Sequence, residues 1–186
     1  SSSENPKKIR IFFNIGKSKF NSKDYKGAIK DFSKSINLDP SHMMSYYYRG
    51  NAKYLTKDYK GAIKDLSKAI KINPKYHFSY FSNAAAKNSL NDYKGAIKEL
   101  TKAIEINPRS GSYFNSRGYN KYRLNDYDGA LQDYSKAIEL KPSSPDPYYY
   151  IGEIKHERKD YNSAIEYYSQ AITVDPKYIL AYVAIG

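Results

Sequence analysis

"DYKGAIKEL", residues 92–100, is written almost unchanged at four other places in the chain, beginning at Asp24, Asp58, Asp126 and Asp160. The spacing between copies is 34 residues, and Tyr25, Tyr59, Tyr93, Tyr127 and Tyr161 are each followed fifteen residues later by Pro40, Pro74, Pro108, Pro142 and Pro176. Self-similarity at such a period marks a repeat architecture, in which one unit buries its apolar face only by stacking on the next.

Each period holds two helices. The five Asp residues stand where a side-chain carboxylate accepts orphan backbone N–H bonds and favours the positive end of the helix dipole. After Asp92, the residues Tyr93, Ala96, Ile97, Leu100, Ala103 and Ile104 recur at steps of three and four, one apolar stripe along a helix. Replacing Tyr93 in that stripe by Ala is expected to cost about 3–5 kcal/mol. Ala28, Ala62, Ala96, Ala130 and Ala164 share one position where a larger side chain would hold two helix axes apart. The proline of each period ends the helix. The intervening stretch, as in "HMMSYYYRGNAKYLTK" (residues 42–57), has no proline and carries a stripe of its own. Gly16, Gly50, Gly118 and Gly152 sit in the middle of it, a placement that costs about 1 kcal/mol relative to Ala and implies close approach of a neighbour.

The chain thus resembles the tetratricopeptide repeat (TPR) family. In the fourth period the family's pattern is matched by Phe114, Gly118, Tyr127, Ala130, Tyr134, Ala137 and Pro142. The resemblance implies an all-α fold, a right-handed α-solenoid of helix-turn-helix units. Its expected parts are a tail at 1–8, repeats at 9–42, 43–76, 77–110, 111–144 and 145–178, and a partial sixth repeat or capping helix at 179–186. The apolar "YILAYVAIG" (residues 178–186) favours a partner: it caps the stack, continues into a longer array or serves oligomerisation through the terminal helix. Arg49, Asn83 and Arg117 depart from the family by standing where an apolar residue is usual, and looser packing is expected there. Lys19, Lys53, Lys87, Lys121 and Lys155 recur three residues after each Gly position, and the expectation is that their stems cover apolar surface while the ammonium reaches water.

Cysteine is absent, which removes disulfides and thiolate metal sites. No apolar run approaches the roughly 20 residues of a membrane-spanning helix, and the compartment stays open, with the cytoplasm favoured. His42, His77 and His156 are scattered, and neither a nucleophile elbow nor a phosphate-cradling glycine loop occurs, so no enzyme, no cofactor and no metal is expected. The formal charge is +12, and it falls mostly on the first two repeats. Lys26, Lys30 and Lys34, with Lys60, Lys64, Lys68, Lys94, Lys98 and Lys102, form stripes of step four that are expected to point outward and to be solvated.

In the TPR family, first helices line a concave groove. Carried onto this chain, that implies a groove of Arg10, Phe13, Lys17 and Phe20, then Met44, Tyr47, Asn51 and Tyr54, then Phe78, Phe81 and Asn88. Asn115, Tyr119 and Tyr122 follow from the fourth repeat, and Tyr149, Glu153 and His156 from the fifth. A surface so rich in aromatics suits an extended peptide or a partner helix. The expected function is a protein-interaction scaffold whose partner is a protein or peptide, acidic if the lysines take part. The TPR subclass that clamps the carboxyl-terminal tails of heat-shock chaperones uses Lys and Asn positions that here hold Phe13, Lys17, Tyr48, Phe78 and Ser82, so chaperone tails are not expected. The alternative is RNA binding, with bases on the groove tyrosines and lysines on phosphates.

Overall fold

The computed structural model describes residues 4–186, which form eleven α-helices with no strand among them. They are α1 (Glu4–Asn21), α2 (Tyr25–Leu38), α3 (Met43–Leu55), α4 (Tyr59–Ile72), α5 (His77–Ser89) and α6 (Tyr93–Ile106), followed by α7 (Gly111–Arg123), α8 (Tyr127–Leu140), α9 (Pro145–Glu157), α10 (Tyr161–Val174) and α11 (Ile179–Ile185). The predicted pairs are all present, and α11 is the lone helix after the fifth pair. The tail expected at 1–8 is helical from Glu4 on, while residues 1–3 lie outside the described residues. Pro6 does not prevent this, because the first turn of a helix has no partner for its N–H groups in any case.

Each second helix starts the same way. The carboxylates of Asp24, Asp58, Asp92 and Asp126 accept the backbone N–H of Gly27, Gly61, Gly95 and Gly129 at 2.9–3.0 Å. A Cβ on any of these glycines would collide with the capping carboxylate. In the fifth repeat Ser163 replaces the glycine and the bond stretches to 3.3 Å. Just before each cap, Lys23, Lys57, Asn91, Asn125 and Lys159 adopt φ of 60–65°, the left-handed conformation that lets three residues reverse the chain.

The glycines inside the first helices mark the closest helix contacts. A Cβ on Gly16 would lie 2.8 Å from the Phe32 ring, one on Gly50 2.7 Å from Leu66 Cγ, one on Gly118 2.9 Å from the Tyr134 ring and one on Gly152 2.5 Å from the Tyr168 ring. Each partner stands sixteen residues on, on the second helix of the same hairpin, and all four are fully buried or nearly so.

Two compact units divide the chain, one ending at Glu99 and the other starting at Leu100. In the first, α1 pairs with α2, α3 packs on both α2 and α4, and α5 lies on α4. The core there is built on Ala28, Phe32, Ala62, Leu66 and Ala86. In the second, α7 pairs with α8 and α9 with α10, α9 also packs on α8, and α11 covers part of α10. Its core holds Ala130, Tyr134, Ile151, Ile154, Ala164 and Tyr168. Ile179 and Val183 of α11 remain about three-quarters exposed, at 73% and 74%.

Three expectations change. Tyr93 is only half-buried, whereas Ala96, Leu100 and Ala103 of the same stripe are closed off. The repeat tyrosine opens its helix, so its ring lies over the hairpin end: Phe20 contacts Tyr25, Tyr54 contacts Tyr59, Tyr122 contacts Tyr127 and His156 contacts Tyr161, at 5.2–5.7 Å between ring centroids. The cost of Tyr93→Ala accordingly falls below the core range, to about 1–2 kcal/mol.

Secondly, the recurring lysines do not simply reach for water. Lys19, Lys53, Lys87 and Lys121 pair with Asp31, Asp65, Glu99 and Asp133 at 2.6–2.9 Å, each twelve residues on. Burial works against the Asp31 carboxylate, but hydrogen bonds from Lys19 and Lys34 outweigh it and hold the group below the usual carboxylate range. Tyr167 takes the acidic position in the fifth repeat, and Lys155 turns to Asp160 at 3.7 Å instead.

Thirdly, the arginines that break the family pattern do not loosen the packing. Arg49 grips both oxygens of Asp65 at 2.7 and 2.8 Å and donates to Ser33 Oγ of the preceding repeat at 2.9 Å. Arg117 repeats the arrangement with Asp133 and Thr101. A planar guanidinium fits a carboxylate edge while its third nitrogen bridges onward. Asn83 makes a weaker version, a 3.4 Å bond to Ser67.

Candidate functional site

In the first unit, the free face of α1 and α3 and the start of α5 carry a continuous belt of rings. Phe13 stands edge-on to Tyr48 at 5.7 Å, Tyr48 meets Tyr47 at 5.3 Å, Tyr47 meets Tyr76 at 5.2 Å, and Tyr76 meets Phe78 at 5.4 Å. Phe20 adds a second edge on Tyr48 at 5.6 Å. Together Phe20, Tyr47, Tyr48, Asn51, Tyr54, Leu55, Tyr76 and Phe78 line a solvent-open cavity of 440 Å³. Five of these belong to the groove expected from sequence, and Phe78 is 45% exposed.

Beside it, Arg10 and Phe13 line a second cavity of 360 Å³ with Pro6, Ile9, Asp39 and His42. The Phe13 ring, 5.1 Å from His42 and in contact with Tyr48, forms the wall between the two. Lys17 is exposed and holds its Nζ 5.6 Å from the centre of the Tyr48 ring, a cation over an aromatic face. Met44, Phe81 and Asn88 are half-buried and line neither cavity.

The second unit repeats part of this belt and adds hydrogen bonds to carboxylates. Tyr119 and Tyr122 both lie 5.4 Å from Tyr150, which is stacked on the buried Tyr134 with 7° between the planes. Tyr149 touches Tyr150, Tyr168 and Tyr178 at 5.2–5.8 Å. Glu153 accepts a 2.6 Å hydrogen bond from the Tyr168 hydroxyl, and Asp146 a 2.7 Å bond from Tyr178. Burial, reinforced by the charge of Glu153, pushes the Tyr122 hydroxyl up to about 12. Burial also raises Tyr134, Tyr149, Tyr150, Tyr168 and Tyr178. Here Tyr119, Tyr122, Tyr149 and Glu153 meet as a group packed on itself. His156 is exposed against Tyr161. Asn115 lines a separate small cavity of 140 Å³ near Ser112 and Asp146, and its Oδ1 has no hydrogen-bond partner among the described residues.

Sequence reasoning passed over Tyr48 and Tyr76 in the first unit and Tyr150 in the second. Tyr48 and Tyr150 follow directly on chosen residues in "YYY" runs, and neighbours on a helix are turned by about 100°. A single stripe of step three or four therefore leaves one of them out. Tyr76 precedes its helix and belongs to no helical stripe. Among the described residues no group of three or more His, Cys, Asp or Glu is arranged to hold a metal ion, and no helix is long and apolar enough to cross a membrane.

Models of the tetratricopeptide repeat match residues 9–42 and 79–110, and 44–76 and 145–178; a further TPR repeat model matches 118–157. No curated protein matches the chain in sequence. Among solved structures, MamA (residues 41 to the end) from Desulfovibrio magneticus RS-1 superposes with a TM-score of 0.86 at 16% identity, covering 92% of this chain and 97% of that one. A second MamA structure gives 0.85 at 23% identity, covering 92% and 94%. YrrB, described as a TPR protein with an unusual peptide-binding site, gives 0.81 at 22% identity, covering 93% and 89%. At these identities the likeness is one of fold.

Proposed function

As the chain belongs to the tetratricopeptide repeat family, we propose that it is a non-enzymatic scaffold and that the aromatic groove of its first unit holds an extended peptide or helix from a partner protein. The observation that carries this is the 440 Å³ cavity lined by six rings and open to solvent. Rings held in place by their neighbours offer contact area with little further loss of side-chain freedom, which favours them as anchors for a bound segment. The peptide-binding site that the description of YrrB reports in a similar fold supports the same kind of use.

Tyr119, Tyr122, Tyr149 and Glu153 have a smaller part in this proposal. Tyr149 lies against the buried Tyr168 and Glu153 accepts the Tyr168 hydroxyl, and a partner would have to displace that hydrogen bond to reach the carboxylate.

The test is capture of partners from an extract of the source cells on the immobilised chain, compared with a variant carrying Tyr47→Ala and Tyr54→Ala. The captured set is expected to fall at least about tenfold, with helical circular dichroism unchanged. Equal capture by the variant would reject the groove.

A further inference from the structure

The electrostatics of the first unit narrow down what its groove accepts. Residues 1–99 hold 20 Lys and Arg against 8 Asp and Glu, whereas residues 100–186 hold 11 of each. From Asp24 onward every carboxylate of the first unit is engaged by the fold itself. Asp24, Asp58 and Asp92 cap helices. Asp31, Asp65 and Glu99 sit in the ion pairs with Lys19, Lys53 and Lys87. Asp39 accepts from both the backbone N–H and the hydroxyl of Ser41.

None of these carboxylates lines the aromatic cavity, and among the described residues Asp39 is the only acid lining the cavity beside it. Two exposed cations of α1 stand on this face: Lys17 over Tyr48, and Arg10 at the mouth of the second cavity.

Resting on the groove reading above, we propose that the bound segment is acidic and carries an aromatic or branched aliphatic anchor. The anchor enters the ring-lined cavity, where no charge opposes it. The acids meet Lys17 and Arg10, and the positive field of the unit draws them in. The geometry also sets a spacing. Arg10 and Lys17 lie seven residues apart on one helix, about 10 Å along its axis. A polyproline-II segment, with three residues per turn and a rise of about 3.1 Å, presents positions i and i+3 on one face about 9 Å apart. Two carboxylates three residues apart therefore match the two cations.

A displayed random-peptide library selected on the intact chain tests this, with clones that also bind the Tyr47→Ala/Tyr54→Ala variant removed. Groove-dependent clones are expected to carry Asp or Glu three residues apart beside Phe, Tyr, Leu or Ile. For synthetic peptides of that pattern, fluorescence anisotropy is expected to show about tenfold weaker binding to Lys17→Glu and steep weakening with salt. Lys60→Glu, on the outer face of α4, is expected to change affinity less than about twofold.

Groove-dependent clones that are neutral or basic would overturn the acidic assignment and leave the groove standing. Failure to recover any groove-dependent clone would remove both. An oligouridylate that displaces the acidic peptides and binds more tightly than they do would assign the surface to RNA instead.

Discussion

The two units are built from the same 34-residue unit and repeat one set of ring contacts, Phe20–Tyr48, Tyr47–Tyr48 and Tyr47–Tyr76 recurring as Tyr122–Tyr150, Tyr149–Tyr150 and Tyr149–Tyr178, but they set it in different surroundings. In the first, Phe13, Phe20, Tyr47, Tyr48 and Tyr76 meet edge to edge beside a cavity open to water. In the second, Tyr150 stacks on Tyr134, and Tyr149, Tyr168 and Tyr178 close over Glu153 and Asp146. The charge separates in the same way, positive in the first unit and balanced in the second. A repeat scaffold constrains the helix contacts and leaves the free face of each first helix to vary. On those faces the first unit sets its rings beside cations and the second beside carboxylates.

The largest effect expected is at a core position that recurs in both units. Leu66 occupies in the first unit the position of Tyr134 in the second, and both are 0% exposed. Leu66→Ala is expected to lose about 3–5 kcal/mol in denaturant unfolding; a loss below about 1 kcal/mol would mean that the Gly50 contact does not hold the hairpin.

Alkali is expected to separate the units. The second contains six tyrosines whose hydroxyls burial pushes up, with Tyr122 at about 12, against Tyr76 in the first. A raised folded pKa contributes stability that is complete below the unfolded value of about 10 and is lost as pH rises through the folded one. Segment-resolved hydrogen exchange after short alkaline exposure is expected to show α8–α10 opening before α2–α4. The reverse order would break the contrast.

A smaller effect distinguishes two tyrosines at the same register. The Tyr134 hydroxyl is buried without a hydrogen-bond partner among the described residues, while that of Tyr168 is bound to Glu153. Tyr134→Phe is expected to be neutral or to stabilise by about 1 kcal/mol, and Tyr168→Phe to destabilise by about 1–2 kcal/mol. Phe32, already at this register in the first repeat, shows that the ring alone fits. Thermal melts of the two variants check the sign of each.

The smallest effect lies in the turns. Lys57 holds φ of 65° where Asn91 and Asn125 serve later repeats. Asn tolerates that conformation better, so Lys57→Asn is expected to stabilise by about 0.5 kcal/mol, read as a small rise in melting temperature.

Helix order, caps and hairpin pairing were legible because each depends on residues close together in sequence. Asp92 caps a helix opened by its own neighbours, and Gly118 reports a contact made within its own hairpin. The ion pairs escaped notice although both partners recur: Lys53 and Asp65 lie on different helices, and a lysine at a helix surface gives no sign of what stands across from it. Arg49 is silent about its partners in the sequence for the same reason. Its three partner atoms come from two other helices, and only the assembled fold brings them within reach.

The periodic sequence by itself determined that this chain is a stack of helical hairpins, since capping, helix periodicity and the small residues at close contacts act over a few turns of chain. Which of its many aromatic rings stay open to a partner was decided only by tertiary structure. Whether a tyrosine is a wall, a lid or an anchor depends on what the adjoining helix places against it: Tyr47 and Tyr149 stand at corresponding places and meet Tyr76 and Tyr178 alike, yet Tyr47 packs on a core of Leu66 and Tyr149 on the ring of Tyr168.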